Sequence, residues 1–212
     1  LTCVGSTRVQ IDQQLEAFGQ AGIENILALR GDIPADASPA DTWHFRHASD
    51  LIQYLKSRGD FCVGAACYPE GHPESATQKD DIAALRLKAE AGCDFMTTQM
   101  FFDNNILYNF LYKIREAGIE TPIVAGIMPV TNGRQSLRVC QLSGTMLPPR
   151  FRQIVDRFAD KPDAMKQAGI AYATEQIIDL LANGVHHIHV YSMNHPEVAR
   201  QIQANLSEVL KA

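Results

Sequence analysis

The chain has 212 residues, of which 46% are hydrophobic and 20% are charged, and its formal net charge is −5. This composition is typical of a folded globular protein, and a chain of this length is expected to form one domain. The basic residues are scattered and no apolar run approaches the roughly 18 residues of a membrane span, so neither a nucleic-acid surface nor a membrane segment is predicted.

The cysteines indicate a reducing compartment. There are five of them, they form no Cys-x-x-Cys pair, and most lie within apolar runs. We therefore predict buried free thiols, no zinc site and a cytoplasmic protein, since no signal-peptide pattern opens the chain. The chain begins at Leu1, without an initiator methionine, and we expect an N-terminal stretch of the natural protein to precede it.

Strands and helices are predicted to alternate along the chain. Thr7 and Gln10 form the pattern of a capping box, which marks the start of the first helix. Further helices follow from the spacing of apolar residues near 82–89, 107–114 and 151–158. Six strands are predicted, and most are apolar throughout, as expected for parallel strands covered on both faces. They lie at residues 1–4, 25–30, 61–66, 95–98, 122–127 and 187–191.

This alternation predicts a parallel α/β fold, either an open doubly wound sheet or a (βα)8 barrel. No glycine-rich dinucleotide or phosphate motif follows a strand, which removes the main support for a nucleotide-binding open sheet. The interval from Gly118 to Gly184 is too long for one unit, so we expect an extra helix before the last strand. We predict an incomplete TIM barrel: a single domain over residues 1–212 with about six of the eight βα units, lacking the first two.

Polar side chains follow the predicted strands at their carboxyl ends, where both folds place functional residues. Asp32 is either a turn residue at a salt-bridged strand end or a negative charge above a ligand, which Gly31 would let approach closely. Gln99 ends a strand next to Phe101 and Phe102 and suits a flat heterocycle, although residues 100–102 could also be ordinary core. The other polar groups are residues 68–72, Asp103, residues 129–132 and residues 191–194.

The histidines do not predict a metal site. His187 and His189 share one face of a strand, His186 points to the other, and no carboxylate follows at ligand spacing. His47 and His72 lie on loops after strands and are stronger candidates for ligand binding. No Ser-His-Asp or Cys-His grouping has a diagnostic motif, so hydrolase chemistry is not favoured.

Several stretches resemble the methylenetetrahydrofolate reductase family in order and approximate spacing. The resemblance covers nearly the whole chain, and Leu-Arg-Gly-Asp and Tyr-Pro-Glu-Gly-His-Pro-Glu are its most specific parts. The matching stretches are Leu1-Thr2-Cys3, residues 28–32, residues 66–74, Thr98-Gln99 with Phe102-Asp103, residues 126–129 and residues 191–194.

The resemblance implies a barrel that holds FAD non-covalently at its mouth. It implies reduction of 5,10-methylenetetrahydrofolate to 5-methyltetrahydrofolate by ping-pong hydride transfer through flavin N5, with NAD(P)H or another reductant as co-substrate. Such a reaction belongs to one-carbon metabolism and methionine biosynthesis. Family members usually associate, so a homo-oligomer is expected of the full-length protein.

The resemblance also implies roles for individual residues. Asp32 and Gln99 are the implied catalytic residues. The carboxylate of Asp32 near the flavin would strengthen the reduced flavin as a hydride donor and favour a cationic folate. Gln99 matches the residue that touches folate and nicotinamide. Lys88 would meet the phosphates of FAD. The implied FAD contacts are Arg30, Gly31, Asp32, His47, Ala48, Tyr68, His72, Ala76, Asp81 and Lys88, and the implied substrate contacts are Gln99, Gln135, Tyr191 and His195.

The chain departs from the family pattern in two ways. The general-acid glutamate and two FAD contacts of the family have no counterpart, so we expect this fragment alone to bind FAD weakly and to be inactive. His195 replaces an arginine, Val139 a phenylalanine and His47 a tyrosine, which leaves the reductant and the binding of the folate tail open. The alternatives are another FAD-binding barrel, of the proline dehydrogenase type, and a truncated barrel that serves as a non-catalytic binding subunit.

Overall fold

The computed structural model describes residues 1–33 and 43–211, with the backbone alone for residues 134–137. The described residues form an α/β fold with five strands and eight α-helices. The strands are β1 Asn25–Ala28, β2 Cys62–Cys67, β3 Phe95–Thr98, β4 Ile123–Ile127 and β5 Ile188–Val190. The helices are α1 Arg8–Gln20, α2 Ala48–Lys56, α3 Gln78–Glu90, α4 Asn104–Glu116, α5 Gly133–Ser143, α6 Pro149–Phe158, α7 Pro162–Ala182 and α8 Pro196–Asn205, followed by the 3-10 helix Val209–Lys211.

The strands follow one another in the sheet in the order in which they occur in the chain, β1-β2-β3-β4-β5. Strands β1 and β2 are parallel, with Asn25 opposite Cys62, and β4 and β5 are parallel, with Ala125 opposite Ile188. A doubly wound sheet contains a point at which the strand order reverses. Within the described strands the order has no such point, so the predicted parallel α/β fold is confirmed and the doubly wound alternative is not supported.

The predicted strand at residues 1–4 is wrong. Thr2 forms an isolated parallel bridge with Leu29, and neighbouring backbone groups of residues 1–4 bond residues 27–30, but no regular strand is formed at residues 1–4. The N–H of Ser6 already bonds the carbonyl of Cys3 at 3.0 Å, and Gly5 has a φ of 67°. The chain therefore turns directly after its short pairing with β1, and the described residues contain five strands where six were predicted.

The segment before the last strand holds more helix than the sequence predicted. One extra helix was expected there, and the structure has α5, α6 and α7 between β4 and β5. Helix α6 begins with Pro149, whose fixed φ suits the first helical position. Helix α7 packs against α4, α6 and α8, so it is the helix around which the later part of the chain is built.

Two compact units contain these elements. Unit 1 comprises residues 1–67, 76–97 and 117–123, and unit 2 comprises residues 68–75, 98–116 and 124–212. In unit 1, helix α2 packs on β1 and β2 and buries Leu51, Ile52 and Leu55 completely. The core of unit 2 is formed by Met100, Phe102, Met128, Val130, Cys140, Phe151, Val155 and Met165.

Burial of the strands agrees only in part with the prediction that both faces are covered. In β1, Ile26 and Ala28 are buried, whereas Leu27 is 41% exposed.

Four of the five cysteines are buried and all are free thiols, as predicted. Among the described helices, none combines the length and the apolar character needed to cross a membrane.

Candidate functional site

The tip of β1 carries Arg30, Gly31 and Asp32. The carbonyl of Arg30 accepts the N–H groups of Cys3 at 3.1 Å and Val4 at 2.8 Å, which extends the chain pairing beyond the strand itself. Gly31 has a φ of 88°, and a Cβ there would lie 3.1 Å from Cβ of Thr2. The left-handed backbone is therefore sufficient reason for the glycine, and the space beside Thr2 is also tight. The side chain of Asp32 is exposed, so its carboxylate faces solvent.

Lys88 and Asp81 lie on α3, beside the tip of β2. The ammonium of Lys88 donates a hydrogen bond of 2.7 Å to the carbonyl of Ala66, and Asp81 is buried in the first turn of the helix. Burial lowers the pKa of Lys88, Cys67 and Asp81 oppose that shift, and Arg30 lowers the pKa further. Lys88 is thus a partly buried cation held against the tip of β2, and a bound anion would stabilise its charged form.

His47, Ala48 and Ala76 lie at helix N-termini of unit 1. His47 caps α2, where the carboxylate of Asp50 accepts the N–H groups of Arg46 at 2.8 Å and His47 at 2.9 Å. Ala48 is buried and the side chain of His47 is exposed. Ala76 is exposed and directly precedes Thr77, the N-cap of α3. Helix N-termini at the carboxyl ends of strands favour negatively charged ligands.

The loop after β2 belongs to unit 2 and brings Tyr68 and His72 together. Their ring centroids are 4.6 Å apart with the planes at 76°, and both side chains are half-buried. The N–H of Glu74 donates to Nδ1 of His72 at 3.1 Å. A neutral imidazole with an accepting Nδ1 carries its proton on Nε2. The two residues that the sequence grouped in one loop are thus in direct ring contact.

Glu70 in the same loop was not singled out from the sequence. One carboxylate oxygen, Oε2, accepts the N–H of Met146 at 3.0 Å, and the other, Oε1, is buried without a hydrogen-bond partner among the residues that the structure describes. Burial raises the pKa of Glu70, the Met146 N–H opposes that shift, and Asp103 raises the pKa further. Glu70 therefore ties this loop to the turn between α5 and α6, at a position where burial disfavours its charged form.

Replacing Glu70 with glutamine is expected to make stability less sensitive to pH. Because the folded-state pKa of Glu70 is raised, the wild type loses stability as the pH rises from the unfolded-state pKa through the folded-state pKa. The amide keeps an oxygen for Met146 and does not titrate. In thermal melts, the melting temperature of E70Q should rise relative to that of the wild type as the pH increases from acidic to neutral. The other carboxylates contribute equally to the pH dependence of both proteins and do not affect this difference. A constant difference in melting temperature would contradict this assignment.

Gln99 at the tip of β3 is half-buried, and its Oε1 accepts the N–H of Met100 at 2.9 Å. Met100, Phe101 and Phe102 are all buried, with Met100 and Phe102 in the core of unit 2. The alternative that residues 100–102 are ordinary core is therefore confirmed. Asp103 accepts the N–H of Asn105 at 3.0 Å at the start of α4, which gives it the role of a helix cap.

Tyr191, which follows β5, forms a hydrogen bond with the end of β3. Its hydroxyl donates to the carbonyl of Thr98 at 2.7 Å, and the Oγ1 of Thr98 accepts the N–H of Gly126 at 2.8 Å. A Cβ on Gly126 would overlap the Thr98 carbonyl oxygen and lie 2.6 Å from the ring of Tyr191. The sequence analysis missed Thr98 and Gly126 as site residues. A glycine inside an apolar strand was the available signal, since it often marks a close approach of backbone.

The remaining predicted site residues contribute less to the described geometry. His195 caps α8, is exposed, and has its Nδ1 at 3.4 Å from Oε1 of Glu197, which Lys166 also contacts at 3.2 Å. His189 packs edge-on against Tyr191 with ring centroids 4.6 Å apart, as expected for residues on one face of a strand. The side chain of Gln135 lies outside the described residues.

The fold and these side chains define an α/β protein of parallel strands with its polar groups at the strand tips, the arrangement in which α/β enzymes place their sites. The family model of methylenetetrahydrofolate reductase matches residues 1–207. The chain is 40% identical over 204 residues to methylenetetrahydrofolate reductase 2 of Saccharomyces cerevisiae, covering 92% of this chain and 34% of the yeast protein. It is 32% identical over 202 residues to the 5,10-methylenetetrahydrofolate reductase of Escherichia coli, covering 95% and 67%. The chain belongs to the methylenetetrahydrofolate reductase family.

The extent of these matches differs between relatives. The chain spans about a third of the yeast protein and about two thirds of the Escherichia coli protein. Among solved structures, an uncharacterised protein from Clostridium thermocellum that binds two copies of 5-methyl-5,6,7,8-tetrahydrofolic acid is similar with a TM-score of 0.49 and 15% identity. That similarity covers 84% of this chain and 60% of the other.

Proposed function

We propose that the protein reduces 5,10-methylenetetrahydrofolate to 5-methyltetrahydrofolate, with FAD as cofactor and NAD(P)H or another reductant as co-substrate. The observation that carries this proposal is the family match over residues 1–207, a range that contains every strand tip described above. We also propose that the strands belong to a (βα)8 barrel with residues 1–212 in one domain. The strand order β1-β2-β3-β4-β5, which follows the chain, supports a barrel.

The described residues of unit 1 fit FAD in charge. Arg30 and Lys88 are cations of the same unit, near enough for Arg30 to lower the pKa of Lys88, and a pyrophosphate would pair with such cations. The ammonium of Lys88 bonds the Ala66 carbonyl, which holds the side chain against the end of β2. Bound flavin would supply the capacity to take a hydride from the reductant and pass it to the folate.

The chain's own residues would act on the substrate by charge and hydrogen bonding. Asp32 places a negative charge at the tip of β1, which stabilises a cationic form of the folate, the form that accepts a hydride. The amide nitrogen of Gln99 is the donor end of that side chain, because its oxygen bonds Met100. Gln99 would therefore orient the substrate by donating a hydrogen bond.

Anaerobic half-reactions of the full-length protein test the proposal. Flavin bound to the protein should be reduced by NADH or NADPH and then reoxidised by methylenetetrahydrofolate, with 5-methyltetrahydrofolate as the product identified by chromatography. Reduction by proline, without reoxidation by the folate, would instead support the proline dehydrogenase alternative. A protein that retains no flavin would support a non-catalytic barrel.

Replacing Lys88 with methionine is expected to raise the Kd for FAD by about tenfold or more, since a hydrogen bond to a charged group contributes on the order of 1.5–3 kcal/mol. Methionine keeps the aliphatic stem of the lysine. The matched control is Lys79→Met, because Lys79 is an exposed lysine of the same helix. Titration of the apoprotein with FAD measures both constants. Equal affinities in K88M and the wild type would contradict the phosphate role.

A further inference from the structure

The hydroxyl of Tyr191 is engaged by the backbone of β3. It donates to the carbonyl of Thr98 at 2.7 Å, while the N–H of Tyr191 bonds the carbonyl of Ile127 at 2.8 Å and so continues the pairing of β5 with β4. The ring also packs against the core of unit 2. A phenol held at its backbone, its ring and its oxygen cannot turn its proton toward a substrate without breaking the bond to Thr98.

Thr98 is held from a second side. It is fully buried, and its Oγ1 accepts the N–H of Gly126 at 2.8 Å. Gly126 can lie this close because it lacks a Cβ, which would collide with the Thr98 carbonyl and the ring of Tyr191. Thr98, Gly126 and Tyr191 thus form a clasp, called the β3 clasp below, in which each member limits the movement of the other two.

Gln99 directly follows the clasped peptide. The carbonyl that Tyr191 holds belongs to the peptide unit joining Thr98 to Gln99, so the hydroxyl fixes the plane from which the Gln99 side chain departs. Beyond that plane, Oε1 of Gln99 bonds the N–H of Met100 at 2.9 Å. The donor end of the amide is therefore aimed by two contacts, one on each side of its own Cα.

We infer that Tyr191 is a positioning residue, which acts on the proposed reaction through Gln99 by way of the β3 clasp. This inference rests on the proposed function and deepens it, because it assigns the Tyr191 hydroxyl to the protein backbone and leaves hydrogen bonding of the substrate to Gln99. Small displacements of a group that orients substrate lower the rate of reaction strongly.

A double-mutant cycle in the full-length holoenzyme tests this assignment. Y191F should lower kcat for folate reduction about tenfold with little change in KM, and in a Q99A background the same substitution should change kcat less than about twofold. Tyr172→Phe is the matched control, because the Tyr172 hydroxyl also donates to a backbone carbonyl, that of Phe102 at 2.6 Å, in the same unit. Y172F should leave kcat unchanged. Equal losses from Y191F in both backgrounds would overturn the assignment.

A second measurement does not require turnover. In the NMR spectrum of the full-length protein, Y191F should shift the side-chain amide resonances of Gln99 and speed hydrogen exchange at the N–H of Met100, and Y172F should do neither. Unchanged Gln99 resonances in Y191F would overturn the positioning role. If these shifts occur but the wild type does not reduce folate, the positioning role is supported and the proposed function is the part that fails.

Discussion

Replacing Asp32 with asparagine in the flavin-bound protein is expected to slow the reduction of methylenetetrahydrofolate by at least about 100-fold, while FAD stays bound. Asparagine keeps the size of the side chain and removes its charge. The loss corresponds to roughly 3 kcal/mol of transition-state stabilisation, which is typical of one well-placed charged or hydrogen-bonding group. Asp32 is exposed at the tip of β1, so the substitution should not weaken the fold.

Asp60→Asn provides the matched control, since it makes the same change of charge on an exposed aspartate. Asp60 precedes β2 and therefore lies at the amino end of a strand, away from the tips. Stopped-flow measurement of the two half-reactions separates the effects, because loss of the Asp32 charge should slow reoxidation by folate most. Reoxidation of D32N at the wild-type rate would contradict the role of Asp32 in folate reduction. Loss of bound flavin from D32N would show that Asp32 contributes to FAD binding instead.

The bounds of strands and helices were predictable from the sequence where apolar runs are long enough to determine the secondary structure. Strands β2 and β3 fall within one residue of the predicted 61–66 and 95–98, and Thr7 and Gln10 form the predicted capping box at α1. The run at residues 1–4 is as apolar as these strands but ends in a left-handed glycine. Residues 1–4 do pair with the end of β1, but the turn at Gly5 limits that pairing to a single parallel bridge.

The residues at the strand tips were also predictable, because parallel strands place polar groups at their carboxyl ends. Their individual contacts were not. Asp103 looks like a ligand residue in the sequence, yet it caps α4, and Gly31 takes a left-handed backbone close beside Thr2. A cap needs only the local chain, whereas the contact of Gly31 with Thr2 joins residues far apart in sequence. Periodicity carries no information on such pairings.

The β3 clasp illustrates the same limit within unit 2. Thr98, Gly126 and Tyr191 come from three different strands or their ends, and each was read from the sequence as part of a separate stretch. Only the geometry shows that the Tyr191 hydroxyl bonds the peptide before Gln99. The family resemblance implies that Tyr191 contacts the substrate. The hydrogen bond to Thr98 gives the tyrosine hydroxyl a structural role that does not depend on any ligand.

Replacing Gly169 with alanine is expected to destabilise the protein by about 3 kcal/mol or more, the upper range for overpacking a core. Gly169 lies buried in the middle of α7, and a Cβ at that position would overlap the carbonyl oxygen of Val130. The obstacle is backbone, which cannot rotate away as a flexible side chain can. Helix α7 would have to move off the segment after β4, and its contacts with α4, α6 and α8 would loosen with it.

Gly19→Ala is the control that separates this steric effect from helix propensity. Gly19 lies in helix α1, and a Cβ there would meet no atom within 4 Å. Alanine should therefore stabilise that helix by about 0.5–1 kcal/mol, because glycine loses more conformational entropy on folding. Urea denaturation followed by circular dichroism should move the two variants in opposite directions from the wild type. If G169A unfolds at the same urea concentration as G19A, then α7 does not rest directly on the backbone of Val130.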